Sequence, residues 1–106
     1  MRLVDLNQRW IGRDGTTSDD PAYGGCGVVF DCPHCYESGK QIIAVHFDKP
    51  LDGGPSRWPN HSWKRTGETF DTLTLEPSID HKAPDADGSW AQHWHGWIRR
   101  GAVVTA

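Results

Sequence analysis

The chain has 106 residues, a formal charge of −3 and a pI near 6.0, a balance that excludes any general attraction to nucleic acid or anionic membranes. Only 36% of its residues are hydrophobic, and 12 glycines and 7 prolines interrupt it, which excludes long helices and allows a single thin core. Six Trp, three Phe and two Tyr exclude disorder, because each buried ring removes a large area from water.

Residues 1–11 alternate weakly through Leu3, Leu6, Trp10 and Ile11 and read as a strand or one helical turn. Residues 12–25 are loop by composition, so the first 25 residues read as a loop-rich arm on a core of residues 26–106. The apolar run Val28-Val29-Phe30 predicts a strand over residues 27–31 leading into Cys32-Pro33-His34-Cys35. Ile42, Ile43, Val45 and Phe47 mark the returning strand, with Glu37-Ser38-Gly39-Lys40 as the turn. Residues 27–47 thus form a hairpin with the thiols at its tip.

A loop follows over residues 48–55, and Trp58 and Trp63 flank a short polar link. Phe70, Leu73 and Leu75 interleave with Thr72, Thr74 and Glu76 in a strand over residues 69–79. Residues 80–89 read as a polar loop. Residues 90–99 and 102–105 are two short strands turning at Gly101. No helical period is sustained. The expected fold is mainly β, a small zinc-ribbon-like single domain with long loops.

Two thiols three positions apart at a strand end point into one small volume, half of a tetrahedral zinc site. A redox pair of the thioredoxin type needs a helix after the motif, and none follows. His93-Trp94-His95 is the matching half. Residues two apart on a strand leave the same face, so both imidazoles can reach one ion. The expected ligands are Cys32, Cys35, His93 and His95, with His81 or Cys26 as substitutes. A structural Zn²⁺ would staple a core too thin to hold alone. His34 lies inside the knuckle, and His46 and His61 have no pairing pattern.

Three cysteines, two of them in one Cys-x-x-Cys, fit a reducing compartment. No apolar run approaches 18 residues, and Met1-Arg2-Leu3-Val4-Asp5 lacks a signal-peptide core, so a cytoplasmic location without membrane contact is expected.

From Trp63 to Gly101 the chain resembles a small uncharacterised family. The similarity runs through Thr72-Leu73-Thr74-Leu75-Glu76-Pro77-Ser78-Ile79 and His95-Gly96-Trp97-Ile98-Arg99-Arg100-Gly101-Ala102-Val103. That family occurs in bacteria and phages, and some members carry a legacy ammonia monooxygenase label that nothing in these residues supports. Its pattern is a Cys-Pro-x-Cys knuckle, a Thr-Leu-x-Pro-Ser-Ile strand and a Cys-(x-x)-His-x-Trp/Phe-Ile-x-x-Gly ending. The resemblance covers roughly residues 26–104 and departs at two places. Gln92, His93 and Trp94 stand where a cysteine precedes the final histidine, and no cysteine follows the last strand.

Some members sit beside ubiquitin-like conjugation genes and are suspected peptidases. For this chain, that resemblance implies Ser78 as nucleophile and His95 as base, with Asp71 or Asp80 orienting the imidazole. A metallohydrolase using Glu68 or Glu76 as base is a third reading, although four closed ligands leave no position for water. The sequence favours a phage-type accessory protein with structural zinc that binds another protein. Arg57-Trp58, Trp63-Lys64-Arg65 and Trp97-Ile98-Arg99-Arg100 supply aromatic and cationic anchors. The alternative is a Ser78/His95 peptidase-like hydrolase acting on a protein or peptide.

Overall fold

A computed structural model of the chain describes residues 1–34, 41–84 and 87–106. It is mainly β. Among the described residues, two four-stranded antiparallel sheets carry eight strands: β1 (Arg9–Ile11), β2 (Thr17–Ser18), β3 (Gly27–Asp31), β4 (Ile42–His46), β5 (Lys64–Thr66), β6 (Thr74–Pro84), β7 (Trp90–Arg99) and β8 (Ala102–Thr105). The first sheet runs β2-β1-β3-β4 and the second β5-β6-β7-β8.

The two strands of the expected hairpin pair antiparallel, whereas its turn, Glu37-Ser38-Gly39-Lys40, lies outside the described residues. Val28 lies opposite Val45 and Phe30 opposite Ile43, so directly facing side chains share the inner face. Their outward neighbours Ile42 and Ala44 are exposed, the alternation of a strand with one wet side. Leu73, Leu75, Ile79, Trp94 and Ile98 bring the second sheet into the same buried cluster. Phe30 meets Trp94 edge-on at 6.4 Å, which locks the sheets face to face. Trp10 stacks on Phe70 at 4.1 Å and meets Phe47 edge-on at 6.2 Å.

Residues 1–25 are not an arm. Leu3, Leu6 and Trp10 are fully buried, and β1 is an interior strand between β2 and β3. Their spacing obscured this because a 3₁₀ turn over Leu3–Asp5 precedes the strand, breaking the two-residue period. The segment also covers an edge: Leu3 N–H donates to Gly101 C=O at 2.8 Å and Val103 N–H to Met1 C=O at 2.9 Å. On the opposite side a bridge from Phe47 to Trp63 links β4 to the entry of β5.

The stretch 80–89 is not all loop either. β6 continues to Pro84, with Asp80 and Lys82 exposed, Ile79 and Ala83 buried and His81 half-buried between them. What reads as loop composition is the solvent face of a strand. Its start is later than residue 69, because Thr72 N–H closes a turn on Thr69 C=O.

Arg99 pairs with Ala102, leaving Arg100 and Gly101 as a two-residue turn with φ of 47° and 75°. Two positive φ values are the signature of a type I′ hairpin, in which glycine suits the second position. A Cβ on Gly101 would lie 2.7 Å from the Phe70 carbonyl oxygen and 2.8 Å from that of Asp71. Gly101→Ala is therefore expected to destabilise the fold by about 1–3 kcal/mol, combining left-handed backbone strain with the steric clash. Urea unfolding reads it directly, and an unchanged midpoint would mean the turn relaxes freely.

Candidate functional site

The longest strands among the described residues, β6 and β7, carry the candidate residues Ser78, His81, His93 and His95, and their pairing is irregular beside them. Leu75 faces Ile98 and Ile79 faces Gly96, so Glu76, Pro77 and Ser78 all stand opposite the single residue Trp97. Such a bulge lifts backbone from the ladder and re-aims the side chains it carries. Trp63 Nε1–H donates to the Ser78 carbonyl at 3.3 Å and fixes the bulged segment from the residue that precedes β5.

On the outer face, Ser78 Oγ and His95 Nε2 form a hydrogen bond of 3.0 Å, and both residues are half-buried. With the ring proton on Nδ1, the imidazole accepts from the hydroxyl, the arrangement a general base requires. Asp80 lies directly opposite His95 in the ladder. Its carboxylate accepts from Gln92 Nε2 at 2.8 Å and stands 3.5 Å from Lys82 Nζ. The Gln92 hydrogen bond, helped by Lys82 and His95, holds its pKa below the ordinary carboxylate range. Asp80 is thus a nearby anion engaged elsewhere, and the constellation is a dyad. Asp71, the other expected acid, belongs to a different place, 3.7 Å from Arg2.

A shallow groove opens beside Ser78, lined by Lys64, Glu76, Pro77, Trp97 and Arg99. The Arg99 guanidinium lies over the Trp97 ring at 4.7 Å. Trp97 in turn neighbours the His95 ring at 5.8 Å. Lys64 and Arg99 were legible only as aromatic–cation neighbours; the pairing of β5 with β6 turns them into walls of one groove.

The metal candidates separate. A second register shift, between His81 and Lys82, leaves His93 as the extra residue of β7. Simple alternation, which would present His93 and His95 together, is broken there. His95 goes to Ser78, while the His93 ring lies 5.9 Å from that of His81. His34 Nδ1–H donates to the His93 carbonyl at 3.0 Å, docking the turn after β3 onto β7. Cys32 is fully buried, on the inner face two residues beyond Phe30, whereas Cys35 lies outside the described residues.

His81 Nε2 is buried and has no hydrogen-bond partner among the described residues. Burial, then the charge of His93, lowers the pKa of His81. Among the described residues no three His, Cys, Asp or Glu side chains form a cluster that could hold a metal. Cys26 is remote from the knuckle: its thiol donates to Asp52 at 3.6 Å, and burial raises its pKa. Asp52 is itself clamped by the Arg13 fork at 2.6 and 2.8 Å. Of the two acids named as metallohydrolase bases, Glu76 lines the Ser78 groove, whereas Glu68 lines a separate hollow with Arg65.

His46 and His61, which show no pattern in sequence, meet through Trp58: the rings stand 5.3 and 6.2 Å from it, and Trp63 follows at 5.1 Å from His61. No helix among the described residues is long and apolar enough to cross a membrane.

No family model, no curated protein and no solved structure matches the chain. The functional reading therefore rests on geometry.

Proposed function

We propose that the chain is a small serine hydrolase in which His95 activates Ser78 to cleave an ester or peptide bond. The observation that carries this is the 3.0 Å contact between Ser78 Oγ and His95 Nε2 at a sheet bulge bordered by an open groove. In the reaction the Ser78 Oγ–carbon bond forms as the acyl–leaving-group bond breaks. The hydroxyl proton passes to His95 and on to the leaving group; water then attacks the acyl-enzyme by the same route, releasing the acid and restoring Ser78. Trp63 holds the bulge through its bond to the Ser78 carbonyl. The test is hydrolysis of a 4-nitrophenyl ester by the wild-type and Ser78→Ala proteins. Turnover that depends on Ser78 is the expected result, and turnover indifferent to Ser78 removes the reading.

The zinc-stabilised binding module is favoured by a different observation and calls on different residues. We propose that a structural zinc at the hairpin tip takes Cys32 and, from the sequence, Cys35, with His81 and His93 from the docked strands. The partnerless Nε2 of His81 and the His34 bond to the His93 carbonyl support that set over one containing His95. On this reading the chain binds another protein through aromatics such as Trp58 and Trp90, which are 56% and 73% exposed. Zinc content after purification without added metal separates the assignments. One equivalent is expected in wild type and in His95→Ala, with the site lost or weakened in His81→Ala. Zinc-free wild type that melts as a folded protein would overturn the metal, and loss in His95→Ala would return His95 to the ligand set.

A further inference from the structure

We infer that the groove beside Ser78 selects acyl substrates that carry a carboxylate, which Lys64 and Arg99 hold. The inference deepens the hydrolase reading and rests on it. Two cations and one carboxylate, Glu76, line the groove, in a chain whose overall charge is −3. Lys64 and Glu76 are cross-strand neighbours in register, yet neither Lys64 nor Arg99 belongs to an ion pair among the described residues. Arg13, Lys82 and Arg2 are committed to Asp52, Asp80 and Asp71, whereas Lys49, Arg57 and Arg100, like the groove cations, stand in no ion pair among the described residues but line no groove with Ser78.

Arg99 is also placed in advance. Its guanidinium is laid on the Trp97 face at 4.7 Å, and the same ring borders His95 at 5.8 Å. A planar fork held this way presents two parallel N–H donors, the geometry a carboxylate accepts. Lys64 sits on β5 next to the β6 segment that ends in Ser78. An anionic group bound between the two cations leaves the rest of the substrate directed along the groove toward the hydroxyl. The chemistry that fits is a carboxylate, at a peptide C-terminus or on an acidic side chain.

The test compares mono-4-nitrophenyl adipate with 4-nitrophenyl hexanoate, two esters of equal chain length that differ in the terminal carboxylate. With background hydrolysis subtracted, wild-type kcat/KM is expected to favour the adipate by about tenfold at low salt, shrinking as ionic strength rises. Lys64→Met and Arg99→Met should each reduce that ratio severalfold through a higher KM for the anionic ester. Competition by short peptides distinguishes the source: a free C-terminus against its amide, and an amidated peptide with a Glu side chain against one with Gln. Ser78-dependent turnover with no preference for the adipate, or a preference untouched by both substitutions, overturns the inference alone. Absence of Ser78-dependent turnover of either ester overturns the hydrolase reading and the inference together.

Discussion

Ser78→Ala is expected to lower kcat for ester hydrolysis by at least about 100-fold, to the level of the uncatalysed background, while leaving the melting temperature within a few degrees. General-base catalysis contributes roughly 10²–10⁴ in rate, and the covalent route disappears with the hydroxyl. The structural loss is small: one hydrogen bond between half-buried groups, worth about 1 kcal/mol. The segment itself is held by the Trp63 bond to the Ser78 backbone, which alanine keeps. His95→Ala should reproduce the loss, and the double variant should be no slower than either single one, because a nucleophile and its base act as a unit. Additive losses would show that the two side chains work separately. Asp80→Asn should have a weaker effect, since its carboxylate is engaged by Gln92 and Lys82.

The second large effect concerns folding. Trp94→Ala is expected to destabilise the domain by about 3–5 kcal/mol, the usual consequence of deleting a buried aromatic and leaving a cavity. Trp94 is 1% exposed, joins the sheets through Phe30 and donates from Nε1 to Thr105 Oγ1 at 3.0 Å. Its indole also lies over Gly96, where a Cβ would collide with it. With total stability on the order of 5–15 kcal/mol, the variant should melt at least about 10 °C lower or fail to fold at ambient temperature. Trp58→Ala is the internal comparison. That residue is half exposed, and its removal should shift stability by no more than about 1 kcal/mol. Equal losses at the two positions would mean that the sheets are not packed through Trp94.

Much of the framework was legible along the chain because the signals are local. Val28-Val29-Phe30 and the alternation through Ile43, Val45 and Phe47 specify a hairpin whose inner face must be buried. The bounds of β7 and β8 follow from apolar spacing and from the glycine that a two-residue turn needs. The Pro77-Ser78 and His95 motifs likewise mark the two members of the dyad. The buried role of Leu3, Leu6 and Trp10 was not legible, since a 3₁₀ turn offsets their period. The second half of β6 was hidden because its outward residues are polar.

By itself, then, the sequence determined a β protein with a Cys-x-x-Cys following its third strand and a short set of candidate side chains. Those properties follow from composition and from two-residue periodicity, which each strand carries within itself. Only the tertiary structure decided which side chains meet. Two bulges between β6 and β7 set the register, so His95 faces Ser78 and His93 faces His81, although on a regular strand both histidines share a face. Register depends on the pairing of residues far apart in the chain, and a single extra residue reverses the face on which its neighbours emerge.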